Sequence, residues 1–428
     1  MVTVFAVAAL LVGAVAVIEH AGLPASPSGA SGDGSVTWTS LPLSSSIASD
    51  SEASASLAMG HLEDPANTFW QVMARASASS AWKVATPPGI ATNGGLATSK
   101  GTSGVLNSVV LPYSGLRFSS FAQSTDNGER WTRAATVPGP VLSAPDAVTS
   151  LEAGSEVAAL LSGTWSVADS PSGLTRQSGQ GQTVVVASGP LTHWSALTTT
   201  EDLSSVAPEC HLQALTAVLA GPDGRLVVGG RCGNPGHFGL FGQPAAAAGP
   251  DALGARWTWL TAGVVVPGME SAVGISTVIR IDHTVTGLGL LLGTTREGRR
   301  ALVYVSAPWP PGDDAPGSWS FSPFLPVPPG WSLVATGTGT STLALAGAVV
   351  LLRHGAALKV LVTGAGGVNW TSTPPPPSGT TDVVLQAGTV TALVPAGSDL
   401  STYRWIPGTT IWTKRPSVTV SIQYGSSN

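Results

Sequence analysis

A tryptophan recurs along this chain in one local context. A β-rich run and a short turn precede it, and a few strand residues, often ending in Pro or Gly, follow it. Consecutive copies are 42 to 63 residues apart, the length that a four-stranded blade and its loops require. The copies are Trp82, Trp131, Trp194, Trp257, Trp319, Trp370 and Trp412, and Trp38 resembles an eighth.

This repeat predicts an all-β chain folded as a β-propeller over residues 36–428, with seven four-stranded blades. Six and eight blades are the alternatives. Three strand-like runs precede Trp319, namely Ser276–Asp282, Gly287–Gly293 and Ala301–Ser306. A large aromatic side chain fills the space between stacked sheets, which explains why it recurs. The strand at Trp38 or the C-terminal run 417–424 would then close the ring and cover the free sheet edges.

Composition supports many short strands and excludes one class of function. The 428 residues include 52 Gly and 33 Pro, which favour frequent tight turns. Only 10% of residues are charged, the net charge is −5, and the 19 basic residues are scattered. A nucleic-acid-binding protein would concentrate basic residues on one surface, so we expect no nucleic-acid partner.

The N-terminus carries a continuous apolar run, Val2–Ile18, which ends at Glu19 and His20. Such a run predicts that residues 1–20 are a signal peptide or an N-terminal membrane anchor. A buried helix or strand is the alternative. Residues 21–35 are rich in Pro, Gly and Ser and predict a flexible linker. We therefore expect an extracytoplasmic protein, secreted or anchored to the membrane through this segment.

The two cysteines of the chain, Cys210 and Cys232, flank a hairpin-like stretch whose turn is 222–224 (Pro-Asp-Gly). A hairpin brings its outer ends together, and an exported protein meets oxidising conditions, so we predict a disulfide. His211 and His237 could join the two thiols in a zinc site. Their C-H-x20-C-x4-H spacing is not a usual zinc pattern, and we expect neither a metal nor a cofactor.

One segment carries a sharp motif. Residues 124–131 read STDNGERW, which places Ser124, Asp126, Gly128 and Trp131 in the pattern S-x-D-x-G-x-x-W. The carboxylate of Asp126 can accept N–H bonds within the turn, and Gly128 permits a positive φ. The motif resembles the Asp box of the bacterial-neuraminidase repeat, and the chain thereby resembles the sialidase-like propellers. The resemblance implies a structural turn and not a catalytic site.

A sialidase would also need three arginines that clamp a carboxylate, a Tyr–Glu nucleophile pair and an acid/base Asp. The first arginine after the linker, Arg75, lacks the F/Y-R-I-P context of that family. Tyr403 lies late in the chain, as a nucleophile would, but no Glu follows Glu297, so its partner would be Glu270 or Glu297. We therefore predict no catalytic residues.

The sequence thus favours a monomeric, non-enzymatic binding or scaffold protein that recognises a protein or a glycan on one face of the propeller. Its only membrane contact would be the N-terminal segment. Two alternatives stay open. One is a divergent sialidase-like glycoside hydrolase or lyase. The other is an assembly factor that resembles the photosystem-assembly propellers.

Overall fold

A computed structural model describes the strands between residues 36 and 124, and from residue 124 to residue 419 it describes most of the chain. The gaps in this second part are 125, 127–128, 143–145, 151–156, 168–176, 189–192, 222–223, 244–255, 270–273, 284–286, 310–317, 340–346, 364–368, 387, 397–398 and 416–417. The predicted signal peptide or anchor and the predicted linker lie outside the described residues. No helix among the described residues is long and apolar enough to cross a membrane.

The described chain is all-β, and its strands pair antiparallel. We group them in chain order as sheets 1 to 7, of which sheets 4 and 5 are joined by a bridge between Arg231 and Thr277 into one nine-stranded sheet. Sheet 1 and an adjoining hairpin contain β1 (Val36–Thr37), β2 (Ile47–Ser49), β3 (Ser54–Ser56), β4 (Ala58–Leu62), β5 (Gln71–Ala74) and β6 (Lys83–Val84). Sheet 2 contains β7 (Leu96–Lys100), β8 (Leu106–Val110), β9 (Ser120–Ser124) and β10 (Thr132–Thr136). Sheet 3 and an inserted hairpin contain β11 (Val148–Ser150), β12 (Val157–Leu161), β13 (Thr164–Val167), β14 (Gln177–Gln180), β15 (Thr183–Ser188) and β16 (His193–Thr199).

A short helix, α1 (Thr200–Val206), and a 3-10 turn (Pro208–Cys210) lead into the remaining sheets. Sheet 4 contains β17 (Leu212–Ala220), β18 (Leu226–Cys232), β19 (Gly239–Gly242) and β20 (Thr258–Trp259). Sheet 5 contains β21 (Thr277–His283), β22 (Gly287–Arg296), β23 (Arg299–Pro308), β24 (Ser320–Phe321) and β25 (Leu325–Pro326). Sheet 6 contains β26 (Ser332–Gly339), β27 (Gly347–His354), β28 (Ala357–Thr363) and β29 (Trp370–Ser372). Sheet 7 contains β30 (Asp382–Gln386), β31 (Thr389–Ala396), β32 (Asp399–Trp405), β33 (Thr413–Lys414) and β34 (Val418–Thr419).

The core lies between successive sheets. Neighbouring residues of one strand belong to different interfaces: Leu290 and Leu292 pack towards sheet 4, whereas Leu291 packs towards sheet 6. In the same way, Val350 packs towards sheet 5 and Val349 towards sheet 7. Because both faces of such a sheet are buried, its strands are continuous apolar runs and not alternating ones.

The first strands of the sheets are neighbours in chain order. Contacts join β7 to β11, β11 to β17, β17 to β21, β21 to β26 and β26 to β30. Strand β2, which belongs to the hairpin β2–β3 beside sheet 1, contacts both β7 and β30. The strand runs that the sequence predicts before Trp319 are confirmed: β21 is shifted by one residue, β22 extends three residues further, and β23 extends two residues further at each end.

The repeated tryptophan marks the start of the fourth strand of a sheet. Trp131, Trp257, Trp319 and Trp412 each directly precede that strand, Trp370 begins it, and Trp194 is its second residue. Trp82 directly precedes β6 in the sequence, but Trp82 and Trp38 themselves lie outside the described residues. The indole Nε1 of Trp370 donates to the carbonyl of Pro323, and that of Trp412 to the carbonyl of Pro374, both at 3.0 Å. These bonds join the outer parts of consecutive sheets.

The described terminal strands do not share one sheet. Val36 and Thr37 pair with Leu62 and His61 in sheet 1, and Val418 pairs with Leu400 in sheet 7. These described strands therefore do not pair with each other, while Trp38 and residues 420–424 of the predicted closing segments lie outside the described residues. Each terminal segment finds a pairing edge inside its own sheet, where few loop residues have to be ordered.

Candidate functional site

The first strands carry one buried ion pair, between Asp146 and Arg280. Asp146 directly precedes sheet 3, and its carboxylate accepts a bond from Arg280 Nη1 at 3.2 Å and from the Ile281 N–H at 2.8 Å. Arg280 Nε reaches the hydroxyl of Thr336 in β26 at 3.2 Å. The backbone carbonyl of Asp146 accepts from the Val218 N–H of β17. This cluster therefore ties sheets 3, 4, 5 and 6 together.

The cluster uses both oxygens of the Asp146 carboxylate and two of the five N–H donors of Arg280. The side chains of Arg280 and Asp146 are 12% and 14% exposed. Burial raises the pKa of the Asp146 carboxyl, while the Arg280 guanidinium and the Ile281 N–H oppose that shift. An arginine held by a carboxylate and a hydroxyl in this way stabilises the contact between sheets 3, 5 and 6.

A second arginine, Arg296, lies in a different setting, at an open cleft of about 700 Å³. Three segments line the cleft: the connection Val266–Gly268 between sheets 4 and 5, the end of β22, and the outer edge of sheet 5 from Ser320 to Phe324. The Arg296 guanidinium lies over the Phe324 ring, with its carbon 4.6 Å from the ring centre. This volume falls within the range of small-molecule sites.

The Arg296 side chain is 41% exposed. Its one ion pair within the described part of the chain joins Nε to the Glu297 carboxylate at 3.9 Å, which is longer than a hydrogen bond. Its guanidinium lies over the Phe324 ring, a cation–π contact at the wall of the cleft. The cleft therefore combines a positioned cation with apolar walls.

The Asp-box residues lie in the turn between β9 and β10. The Asp126 carboxylate accepts from the Arg130 N–H at 2.8 Å and from the Ser124 hydroxyl at 2.9 Å. Partial burial acts to raise the pKa of this carboxyl. The hydrogen bonds from Arg130, Ser124 and Glu129 outweigh that effect, so the pKa of Asp126 lies below its usual value. Trp131 is half-buried at the start of β10, and Gly128 lies outside the described residues. Asp126 therefore caps the turn through residues of the turn itself.

The predicted disulfide is present between Cys210 and Cys232, with the two Cα atoms 4.8 Å apart. It joins the 3-10 turn before β17 to the end of β18, and the register places Leu212 opposite Cys232. The turn of this hairpin uses Gly224 at a φ of 78°. Both sulfur atoms are used in this bond, so they cannot serve as thiolate ligands beside His211 and His237.

The structure does not assemble the parts of a sialidase from the residues considered above. Tyr403 lies in β32 of sheet 7 and packs against the core between sheets 6 and 7. Glu297 is exposed in the β22–β23 hairpin of sheet 5, and Glu270 lies outside the described residues. The sequence analysis missed the Asp146–Arg280 pair and the Arg296 cleft. Only the local charge density of residues 296–300 (REGRR) hinted at the second of these.

Comparisons with known proteins give low similarity throughout. No family model matches the chain, and no curated protein matches it. Among solved structures, the chain is similar to a prolyl endopeptidase, with 12% identity and a TM-score of 0.47 over 90% of this chain and 49% of that one. It is similar to the GH74 xyloglucanase from Xanthomonas campestris, with 13% identity and a TM-score of 0.47 over 88% of this chain and 52% of that one.

The chain is also similar to the fucose-specific lectin from Aleuria aurantia, with 14% identity and a TM-score of 0.39 over 90% of this chain and 98% of that one. This chain spans about half the length of the prolyl endopeptidase and of the xyloglucanase.

Proposed function

We propose that residues 36–428 form an exported, seven-bladed β-propeller that resembles the sialidase-like group and binds a protein or a glycan without catalysing a reaction. The order of the strands supports the blade number: they fall into seven successive groups, two of which a bridge between β18 and β21 joins into one nine-stranded sheet. Contacts run from β7 through β11, β17, β21 and β26 to β30, and β2 of the hairpin beside sheet 1 contacts both β7 and β30. The disulfide supports an oxidising, extracytoplasmic compartment.

The non-enzymatic proposal rests mainly on one observation, which is that Arg280 is already paired within the fold. Within the bounds of the seven first strands, Arg280 is the single arginine, and Asp146 and Thr336 already hold it. A sialidase-type clamp would need three arginines around one carboxylate. The ionisable residues that accompany it in these strands are Lys100, Asp282, His283 and Asp382, of which Asp382 is buried. The other residues are mainly Val, Leu, Ala, Gly, Ser and Thr.

The test is an activity screen on the purified full chain with a broad panel of glycosides, combined with a glycan-binding array. We expect binding without release of products. Turnover that disappears on substitution of one Asp, Glu or Tyr would overturn the proposal and favour the divergent glycoside hydrolase or lyase. A chain that co-purifies with a membrane complex would instead favour the assembly-factor alternative.

A further inference from the structure

We propose that the cleft lined by Val266–Gly268, Arg296 and Ser320–Phe324 binds a uronic acid residue of an acidic glycan, whose carboxylate is received by Arg296. This inference rests on the proposed function, because it names the site and the ligand class for a glycan-binding propeller. It concerns the outer part of sheet 5 and not the first strands, where the Asp146–Arg280 pair lies.

The guanidinium of Arg296 suits a carboxylate for a geometric reason. A planar fork can donate two parallel N–H bonds to the two oxygens of a carboxylate. The Arg296 guanidinium carbon lies 4.6 Å from the centre of the Phe324 ring, and both side chains line the cleft. Gly268, whose φ of 79° favours glycine, places the connecting loop beside Arg296, within ordinary contact distance of its guanidinium.

The charge around the cleft favours an anionic polymer. The β22–β23 hairpin carries Arg296, Glu297, Arg299 and Arg300 within five residues, so it contributes a local charge of +2 to a chain of net charge −5. Arg299 and Arg300 are exposed. A glycan with a carboxylate on successive sugars could interact with several of these cations, and this attraction would weaken as salt is added.

The walls of the cleft match a sugar ring better than a fully charged or fully apolar ligand. Phe321, Phe324 and Pro267 provide apolar surface, and Ser320 lies on the exposed side of the same edge. A pyranose ring has an apolar C–H face and hydroxyl groups around its rim. Burial of the C–H face against the apolar wall is favourable, and the rim remains within reach of hydroxyl groups and water.

An acidic peptide is the competing anionic ligand, and the edge of sheet 5 disfavours it. Peptides bind at such positions by adding a strand to a free edge. Here β24 has only two residues, and Pro323 and Pro326 follow within five residues. Proline has no N–H to donate and blocks strand addition at an edge. The cleft therefore offers side-chain contacts but no continuous backbone edge.

The experiment measures binding of trigalacturonate and of its neutral counterpart galactotriose to the purified full chain by isothermal titration calorimetry. Parent protein is compared with Arg296→Gln, Arg296→Lys and, as a matched control, Arg415→Gln, which removes the same charge from an exposed position in sheet 7. Thermal unfolding of every variant verifies that the fold is retained.

We expect trigalacturonate to bind at least tenfold more tightly than galactotriose. Arg296→Gln should weaken trigalacturonate binding at least tenfold, since the charge and the fork are both lost. Arg296→Lys should give an intermediate loss, because the charge stays and the fork goes. Arg415→Gln should change the affinity by less than about twofold.

Equal affinity for the two trisaccharides, unchanged affinity of Arg296→Gln, or no binding of trigalacturonate would each overturn this inference. The first two results would leave the proposed binding function intact, as would binding of the full chain to other glycans or to a protein. Release of shorter saccharides from either probe would instead contradict the non-enzymatic function, whatever the effect of the Arg296 substitutions.

Discussion

Arg280 and Arg296 are sixteen residues apart in the same sheet, yet their surroundings differ in every respect that matters for binding. Arg280, in β21, is 12% exposed and held by Asp146 and Thr336. Arg296, at the end of β22, is 41% exposed and stacked on Phe324, beyond hydrogen-bond distance of Glu297. From residue type alone, both arginines would be candidates for one site that binds a ligand carboxylate.

The difference shows how burial divides structural cations from binding cations. A charge in the interior requires a permanent partner, because the loss of hydration must be compensated within the fold. A charge at the surface stays hydrated and can exchange water for a ligand. Arg280 therefore holds sheets together, and Arg296 remains able to receive an anion.

The largest effect expected is loss of stability when the inner pair is broken. Asp146→Ala leaves Arg280 buried without its carboxylate and removes the acceptor of the Ile281 N–H. We expect a decrease of about 4 kcal/mol in the free energy of unfolding, measured by denaturant titration. The double variant Asp146→Leu/Arg280→Met should regain most of it. A loss below about 1 kcal/mol for the single variant would remove the distinction drawn between the two arginines.

Removal of the disulfide tests whether a covalent link contributes comparably to the inner pair. Cys210 and Cys232 are both fully buried, so the double Ala variant leaves only small cavities. We expect a loss of about 3 kcal/mol, because the unfolded chain regains the freedom of a loop with a sequence separation of 22. The measurement compares the variant with oxidised and reduced parent protein. Equal stability of the oxidised and reduced parent would contradict the expectation.

The Asp box should make a smaller, pH-dependent contribution at the edge of sheet 2. Asp126→Ala removes the acceptor of the Arg130 N–H and should cost about 1 kcal/mol. The folded-state pKa of Asp126 is lowered, so its contribution is present at neutral pH and is lost as the pH falls below about 4. Stability of Asp126→Asn across this pH range is the control. A parent and an Asn variant with parallel pH profiles would show that the carboxylate is not involved.

The smallest effect on stability is expected for Arg296, in direct contrast with Asp146 and Arg280. Arg296→Gln removes an exposed charge with one long ion pair, so the free energy of unfolding should change by less than about 0.5 kcal/mol. Thermal and denaturant unfolding measure this, with Arg415→Gln for comparison. A loss of 2 kcal/mol or more would mean that the contact with Phe324 stabilises the fold. Arg296 would then be a structural cation like Arg280.

Much of the fold was predictable because local sequence patterns decide it. The strand-like runs Ser276–Asp282, Gly287–Gly293 and Ala301–Ser306 predict strands, and the structure confirms them as β21, β22 and β23. The tryptophan context locates the fourth strand of each described sheet to within one residue. The Pro-Asp-Gly turn and the flanking cysteines predict the hairpin and its disulfide.

Other features were missed because their signals are weak or distant. The helix α1 has a capping box between Thr199 and Asp202, a local signal that is easily lost among the surrounding Thr and Ser residues. The pairing partners of the terminal strands depend on which sheet edge lies nearest in the fold. No local sequence pattern indicates that edge.

The sequence by itself determined the strands, their grouping by tryptophan, the hairpin with its disulfide and the Asp-box turn, because each depends on residues close together in the chain. Only the tertiary structure decided the roles of the two arginines. Asp146 and Arg280 are 134 residues apart, and their contact exists only because the first strands of different sheets meet. The cleft at Arg296 likewise exists only because the loop from sheet 4 and the outer edge of sheet 5 are brought to the same place.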